Sequence, residues 1–350
     1  MNNNIISKIT KDLPILVTGA SGYIASHCIK QLLDQGFKVR GTVRSLSKKE
    51  KYEFLYTLSP SHNDNLSLVE AQLLNADCWG PAVDGCKYVL HVASPIPPYV
   101  PKDENEIIKP AVEGTMNVLQ AALEKGVDKV VVTSSSLAIL FGNDGKYVNE
   151  DDWSDVNKCS HYPKSKVLAE KAAWEFYEKN KEKIQITTVL PSLVFGPCFV
   201  AHGNTSEGLI REIMNNTYPG IPSPDVKYRT VDVRDVAKGH LNALFNEKAN
   251  GRRYILSGSE TTNEGIVNIL KEEFGKYGYE LPGKKVSAEE IKNSGHALAQ
   301  RVVPMMGKSF ELNNERSVKE LGMEYIGIEK SLVDMANSLI GLGLVVNKNK

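Results

Sequence analysis

This sequence of 350 residues lacks several features that would point to a particular class of protein, and the first of these is a net charge. Lysine and arginine together number 42, and aspartate and glutamate also number 42, so the formal net charge is zero. A chain without a basic excess lacks the electrostatic footprint of a nucleic-acid-binding protein. We therefore expect no nucleic-acid partner.

Metal and disulfide motifs are also missing. The seven histidines are scattered without the spacing of metal ligands, and the five cysteines form no CxxC pair. An odd number of irregularly spaced cysteines is typical of a reducing compartment. These patterns predict neither a metal site nor a disulfide framework.

Long apolar runs are absent as well. No stretch approaches the roughly 18 apolar residues that a membrane-spanning helix needs, and residues 1–12 are polar and asparagine-rich, unlike a signal peptide. We expect a flexible N-terminus over residues 1–12, no membrane partner and a cytoplasmic location. Whether the chain is a monomer or a homodimer stays open.

What is present begins with a glycine turn between an apolar strand and a helix, within residues 13–26, which read LPILVTGASGYIAS. A strand, a glycine turn and a helix start form a phosphate cradle, because free backbone N–H groups and the helix dipole attract a pyrophosphate. The residues predicted to bind a dinucleotide here are Gly19, Ser21, Gly22, Tyr23 and Ile24.

Apolar strands alternate with helical stretches in the first part of the chain. Residues 129–133 form one such strand, and residues 106–124 have a helical periodicity that Pro110 is expected to break. Nearly all-apolar strands that alternate with helices indicate an α/β fold with a doubly wound parallel sheet, the Rossmann fold. Ligands of such sheets bind beyond the carboxyl ends of the strands.

The pattern changes after Pro197, where turn residues become frequent. This change predicts a smaller, mostly C-terminal lobe that closes over the sheet. We assign residues 13–196 and about 230–258 to a nucleotide-binding Rossmann domain, and about 197–229 and 259–345 to a substrate-binding lobe.

Arg44 directly follows the predicted second strand, residues 37–43. In NAD-selecting sites an acidic residue near this position binds the ribose 2′-hydroxyl, whereas a guanidinium pairs with the 2′-phosphate of NADP. The sequence therefore favours NADP(H) over NAD. Gln72 and Leu73 follow the third strand and are predicted to lie near the adenine.

Tyr162 and Lys166 are four residues apart at the start of a predicted helix, so they share one face. A phenol has an ordinary pKa near 10 and is a poor acid at neutral pH. A neighbouring ammonium is expected to lower that pKa. Ser135 follows a predicted strand and is placed to hydrogen-bond a substrate oxygen. These three residues are candidates for proton transfer to a carbonyl oxygen.

Six motifs occur in the order typical of extended short-chain dehydrogenases/reductases, namely TGASGYIA, HVASP, NEIIKPAVEGT, VTSSS, YPKSK and LPSLVFGP. The chain most resembles the dihydroflavonol reductase-like branch, which holds plant dihydroflavonol and cinnamoyl-CoA reductases and fungal methylglyoxal (isovaleraldehyde) reductases. The resemblance covers residues 13–260 well and the remainder loosely. It implies NADPH-dependent reduction of an aldehyde or ketone to an alcohol, with a small-molecule carbonyl substrate.

Carried over residue by residue, the resemblance implies a role for each matching position. Tyr162 would donate the proton, Lys166 would hold the nicotinamide ribose, and Ser135 would orient the carbonyl. Arg44 and Lys51 would meet the 2′-phosphate. The residues implied to line the ribose and nicotinamide are Val92, Ala93, Ser94, Pro191, Ser192, Leu193 and Val194.

Two positions depart from the family's pattern, and other activities stay open. Gln72 stands where the family usually has Asp. Leu140 stands about where plant dihydroflavonol reductases have an Asn that reads the flavonoid, which argues against a flavonoid substrate. The same fold also carries NAD(P)-dependent sugar-nucleotide epimerases/dehydratases and hydroxysteroid dehydrogenases, and a non-catalytic NADP-binding regulator would keep the nucleotide site. Arg44 disfavours the NAD-using epimerases, and the three candidate catalytic residues disfavour a regulator.

Overall fold

The structure is a computed structural model that describes residues 11–95 and 103–346. Nearly all of the predicted flexible N-terminus lies outside these described residues. The strands, numbered in chain order, are β1 Ile15–Val17, β2 Val39–Val43, β3 Leu66–Glu70, β4 Tyr88–His91, β5 Lys129–Thr133, β6 Tyr147–Val148, β7 Gln185–Pro191, β8 Leu193–Phe195, β9 Ile221–Pro222, β10 Lys227–Asp232, β11 Arg252–Leu256, β12 Glu260–Thr262, β13 Lys285–Val286 and β14 Glu311–Leu312.

Helices connect most of these strands. The α-helices are α1 Tyr23–Asp34, α2 Trp79–Val83, α3 Asn105–Glu124, α4 Leu137–Leu140, α5 His161–Asn180, α6 Thr205–Met214, α7 Val233–Phe245, α8 Asn263–Phe274, α9 Ala288–Asn293, α10 Ala297–Val302, α11 Glu315–Leu321 and α12 Ile328–Gly341. Short 3-10 helices cover Lys49–Lys51, Glu53–Thr57, Pro60–Asn65, Ala76–Cys78, Val156–Lys158, Glu247–Ala249, Gly275–Tyr277 and Val303–Met305.

Seven strands form the central sheet, in the order β11-β7-β5-β4-β1-β2-β3. Every pairing in this sheet is parallel. The prediction of a doubly wound Rossmann fold is therefore confirmed, and β5 has the predicted bounds. Because the strand order reverses between β1 and β4, a crevice opens there at the carboxyl edge of the sheet.

Helices cover both faces of the sheet, which is why its strands are almost entirely apolar. On one face α1 packs against α7, and buried residues such as Leu32, Phe37 and Leu241 fill the interface. On the other face α3 packs against α5, around Val118 and Phe176. Burial on both faces fixes the strand ends that carry the candidate site.

The expected break at Pro110 is wrong, because α3 runs without interruption from Asn105 to Glu124 and contains Pro110. A proline inside a helix removes one backbone donor and crowds the preceding turn. Here Pro110 lies in the second turn of the helix, so the helix loses one hydrogen bond, which would run to the Glu106 carbonyl. The burial of Ala111, Val118 and Leu119 outweighs the one lost hydrogen bond.

A second apolar core lies over the crevice and contains Ile213 of α6, Leu270 of α8 and Met335 of α12, all buried. A short sheet in the order β12-β10-β8 joins this lobe to the end of β7. Within residues 11–95 and 103–346, no helix is both long enough and apolar enough to cross a bilayer.

Candidate active site

The glycine turn closes tightly against the end of β4. Gly19 has a φ of +67°, and a Cβ there would lie 3.1 Å from the Cβ of Ala93. Glycine adopts this left-handed conformation without steric cost. The Gly22 N–H donates to the Gly19 carbonyl at 2.8 Å, and the Gly19 N–H donates to Thr42 Oγ1 at 2.9 Å. The first turn of α1 holds no acidic side chain, so its N–H groups suit a phosphate.

The side chains around this turn face in different directions. The carbonyl of Ser21 lies 3.2 Å from His202 Nδ1 of the lobe. Tyr23 is buried in the lobe core, and its hydroxyl donates to the Gly196 carbonyl at 2.7 Å. Ile24 is half-buried between the two cores. Tyr23 therefore offers a cofactor its backbone N–H and not its phenol.

Arg44 is exposed at the carboxyl end of β2, where the sequence places it. Glu70, at the neighbouring end of β3, orders the loop after Arg44 by accepting the Leu46 N–H at 2.5 Å. Lys51 is also exposed. Within the described part of the chain, neither Arg44 nor Lys51 pairs with a carboxylate. Both cations therefore suit a 2′-phosphate.

The two predicted adenine contacts follow β3, beside the end of β2. Gln72 is exposed, and its backbone N–H donates to the Cys78 thiol at 3.3 Å. Leu73 packs against Gly114 of α3, where a Cβ would lie 2.8 Å from its own. The structure therefore brings Gln72 close to the Arg44 edge, while Leu73 anchors the segment to the helix.

Residues after β4 close the crevice beside the glycine turn. The Ala93 N–H donates to Thr18 Oγ1 at 2.9 Å, and the same oxygen lies 3.0 Å from His91 Nδ1. Val92 and Ser94 are half-buried on either side. A small cavity here is lined by residues that include Ala93, Ser94 and Lys166. The structure thus brings predicted residues from β4 and α5 together.

Ser135 is buried just beyond β5. Its segment is pinned to β7, because the Ser136 N–H donates to the Pro191 carbonyl at 3.0 Å. Ser135 Oγ accepts the Leu137 N–H at 3.2 Å, as a helix-capping hydroxyl does. Since this hydroxyl accepts that bond, its own proton can still be donated to another group.

Tyr162 lies in the first turn of α5, and the buried Lys166 follows one turn later. Lys166 Nζ lies 5.9 Å from the centroid of the Tyr162 ring and donates to the Thr133 carbonyl at 3.3 Å. This contact ties α5 to the end of β5, one residue before the serine segment. The structure therefore brings Tyr162 and Lys166 to the strand end that precedes Ser135.

Burial is the main cause of the pKa shifts of Tyr162 and Lys166. It raises the pKa of Tyr162 to about 12, and the Arg301 guanidinium opposes this rise. It lowers the pKa of Lys166 to about 8, against the opposing charge of Glu170. The expectation of a lowered tyrosine pKa is therefore wrong for the protein's own groups. Lys166 Nζ donates to a carbonyl, and the desolvation of the phenolate dominates.

The remaining predicted residues follow β7. Pro191 ends that strand, and the Ser192 N–H donates to the Leu256 carbonyl at 3.0 Å. Ser192 Oγ is buried and, among the described residues, has no hydrogen-bond partner. Leu193 and Val194 are half-buried in β8. An orphaned hydroxyl at this edge and the tight glycine turn both fit NADP(H), whose nicotinamide and phosphates carry polar groups.

Sequence reasoning missed Glu170, which lies one turn after Lys166 and is buried. Its carboxylate accepts from Arg253 Nε at 2.8 Å, Ser134 Oγ at 2.6 Å and Thr188 Oγ1 at 2.7 Å. Burial favours a higher pKa for Glu170, but Arg253 and the hydroxyl donors hold that pKa below its ordinary value. The four-residue spacing that continues from Tyr162 and Lys166 is the signal that could have found it.

Residues 15–257, more than half of the chain, match the NAD dependent epimerase/dehydratase family. The chain belongs to this family. A cinnamoyl-CoA reductase of Medicago truncatula is 32% identical, with 93% of this chain and 95% of that protein covered. An anthocyanidin reductase of Arabidopsis thaliana is also 32% identical, with 84% of this chain and 93% of that protein covered.

A solved structure extends the likeness to the whole fold. The yeast methylglyoxal/isovaleraldehyde reductase complexed with NADPH is 30% identical and superposes with a TM-score of 0.78. The match covers 95% of this chain and 100% of the yeast chain. The resemblance to the dihydroflavonol reductase-like branch is therefore confirmed.

Proposed function

We propose that this protein reduces an aldehyde or ketone to an alcohol, with NADPH as the hydride source and Tyr162 as the proton donor. The observation that carries the proposal is the convergence of the glycine turn, Lys166 and the Tyr162 ring at one edge of the sheet. The prediction of an NADP-dependent oxidoreductase is confirmed by the reductases among the relatives.

The chain's own residues have distinct roles in the reduction. When bound, NADPH supplies the hydride that reaches the carbonyl carbon. Tyr162, whose pKa is raised by burial, is a neutral phenol at neutral pH and gives its proton to the carbonyl oxygen. The Ser135 hydroxyl donates to the same oxygen and orients it. Lys166, fixed to the Thr133 carbonyl, lies beside the phenol and places a positive charge next to the developing alkoxide.

Replacing Tyr162 by Phe tests the proton donor. We expect Y162F to lose about a hundredfold or more of kcat, as the loss of a general acid does, and to keep the Kd for NADPH. Tyr177→Phe is the matched control, because Tyr177 lies late in the same helix and donates to Gln185 Oε1 at 3.1 Å. Near-normal turnover of Y162F would contradict the assignment.

The same assay separates the alternatives. A carbonyl reductase consumes NADPH in proportion to product, so the NADPH absorbance falls when aldehydes, diketones, flavanonols or acyl-CoA thioesters are offered. A sugar-nucleotide epimerase or dehydratase converts its substrate without net loss of NADPH, and a regulator binds NADPH without turnover. A hydroxysteroid dehydrogenase would reduce a steroid ketone added to the panel and would leave the other carbonyl compounds unreduced.

Three further points remain proposals. The two-part division, with a Rossmann domain and a substrate lobe, follows the two apolar cores. The cytoplasmic location rests on the sequence alone. A monomer and a homodimer are both compatible with the described surface, and light scattering of the purified protein distinguishes them.

A further inference from the structure

The segment that carries Arg301 crosses from the lobe to the candidate active site. Ala299, within α10, is buried in the lobe core. Met305, just beyond α10, packs against the cluster that contains the buried Leu140 of α4. Helix α4 begins two residues after Ser135. Arg301 therefore lies on the stretch of chain that connects the lobe core to the apolar cluster around α4.

Arg301 is half-buried and, among the described residues, forms no ion pair with a carboxylate. Its Nη1 donates to Thr205 Oγ1 at 3.0 Å, and this neutral acceptor does not balance the charge. The buried carboxylate of Glu207 instead accepts the N–H groups of His202 and Gly203, at 2.7 and 2.8 Å. A guanidinium has five N–H donors, so several directions stay open for an anionic ligand.

The position of Arg301 links it to the chemistry and not only to the lobe. The Arg301 guanidinium acts to lower the pKa of Tyr162, although burial, which raises that pKa, has the larger effect. Thr205, its hydrogen-bond partner, is the first residue of α6, whose N-terminal end carries a partial positive charge. Arg301 and the N-terminal end of α6 therefore lie side by side and both carry positive charge.

We propose that Arg301, with Thr205 beside it, binds an anionic group of the substrate next to the reacting carbonyl, so that the preferred substrates are aldehydes or ketones that carry a carboxylate. This inference rests on the proposed function, because it names the substrate class of that same site. A planar guanidinium pairs with a carboxylate through two parallel hydrogen bonds, which gives both affinity and orientation.

The diphosphate of NADPH is a second source of the same anionic chemistry. We favour the substrate, because the glycine turn already provides N–H groups for the diphosphate, whereas the segment that carries Arg301 packs through Met305 against the α4 cluster that follows Ser135. The two sources predict different results in binding experiments. If Arg301 served the cofactor, its loss would weaken NADPH binding before any substrate is added.

The test compares a keto acid with its methyl ester, which has the same carbonyl and no charge. We expect the wild-type protein to prefer the acid by about tenfold to a hundredfold in kcat/KM, as a charged hydrogen bond contributes. R301Q should lose most of this acid-to-ester ratio, and R301K should keep part of it. R211Q is the matched control, because Arg211 lies on α6 beside Glu207 and should leave the ratio unchanged.

The outcomes are distinct. An equal preference for acid and ester in the wild-type protein, or an unchanged ratio in R301Q, would overturn the inference while leaving carbonyl reduction intact. A raised Kd for NADPH in R301Q with an unchanged ratio would assign Arg301 to the cofactor and also overturn it. If no carbonyl compound is reduced at all, the proposed function itself fails. Should R301Q not fold, the partial loss in R301K decides the question.

Discussion

Two arginines, one inside the central sheet and one on the segment that leaves the lobe core, differ in how their charge is compensated. Arg253, in β11, is 8% exposed, and its guanidinium meets Glu170 at 2.8 Å and stacks 3.8 Å from the Trp153 ring centroid. Arg301, on the segment between the lobe core and the α4 cluster, is half-buried and donates to the neutral hydroxyl of Thr205. The first charge is balanced within the chain, and the second is available to a ligand.

This difference indicates which charged residues stabilise the fold. Removing one partner of a buried pair leaves an uncompensated charge in a poorly solvated place, so such pairs behave as structural units. A cation without an ion pair near a cleft gains its compensation from a bound anion, which is why such groups point to binding sites. Substitutions in a buried ion pair should therefore change stability, whereas substitutions of a cation without an ion pair should change binding or rate.

The largest effect is expected for Glu170→Gln, on the paired side. The substitution keeps the shape of the side chain and leaves the Arg253 guanidinium buried without its counter-charge. We expect the free energy of unfolding to fall by about 3–5 kcal/mol, as it does when a buried pair loses one partner. Urea denaturation measures this loss.

Glu178→Gln is the matched control for E170Q. Glu178 lies on the same helix and pairs with Lys181 at 2.8 Å, with both side chains largely exposed. Exposed pairs contribute little to stability, so the urea midpoint of E178Q should match that of the wild-type protein. Equal losses in the two variants would show that burial does not distinguish the Glu170 pair.

The next effect concerns pH and Lys166, which donates to a backbone carbonyl and, in the part of the chain that the structure describes, forms no ion pair. The pKa of Lys166 is lowered to about 8 and that of Tyr162 is raised to about 12, both by burial. As pH rises through about 8, Lys166 loses its charge while Tyr162 stays protonated, so the rate of reduction should fall. Oxidation of the product alcohol needs the phenolate together with the charged Lys166, so its rate should rise about tenfold per pH unit below pH 8 and level off above it. Reduction that speeds up above pH 8 would contradict these assignments.

Arg44→Ala removes an exposed cation that, in the described residues, has no ion pair. If Arg44 meets the 2′-phosphate, R44A should raise the Kd for NADPH by about tenfold to a hundredfold, as the loss of a charged hydrogen bond does. The Kd for NADH, which lacks that phosphate, should change little. Fluorescence titration with both cofactors measures the ratio, and equal weakening of the two would contradict the role.

Much of the fold could be predicted from sequence because its signals are local. The strand at residues 129–133 is wholly apolar except at its ends, and β5 has those bounds. The glycine turn likewise needs only neighbouring residues. The break expected at Pro110 shows the limit of local rules, because the buried side of α3 decides its continuity through contacts with the sheet and α5.

The same distinction between local signals and tertiary contacts applies to the candidate active site. The spacing of Tyr162 and Lys166 is visible in the sequence, since a helix sets it. The pKa of Tyr162 was not predictable, because the burial that raises it comes from tertiary packing and not from the spacing of neighbouring residues. Arg301 belongs to no motif, and its place between the lobe core and the α4 cluster follows only from the path of the chain to Met305.

The smallest effect is expected for Ser192→Ala, which should stabilise the fold and weaken the binding of NADPH. Ser192 Oγ is buried and, among the described residues, has no partner, so Ser192→Ala should raise the free energy of unfolding by about 1 kcal/mol. Ser331→Ala removes a buried hydroxyl that donates to Asp232 at 2.7 Å, and should lower it. If Ser192 bonds the cofactor, S192A should also raise the Kd for NADPH about threefold to tenfold, while S331A leaves it unchanged. Stabilisation without weaker binding would make Ser192 an unsatisfied group of the fold and not part of the site.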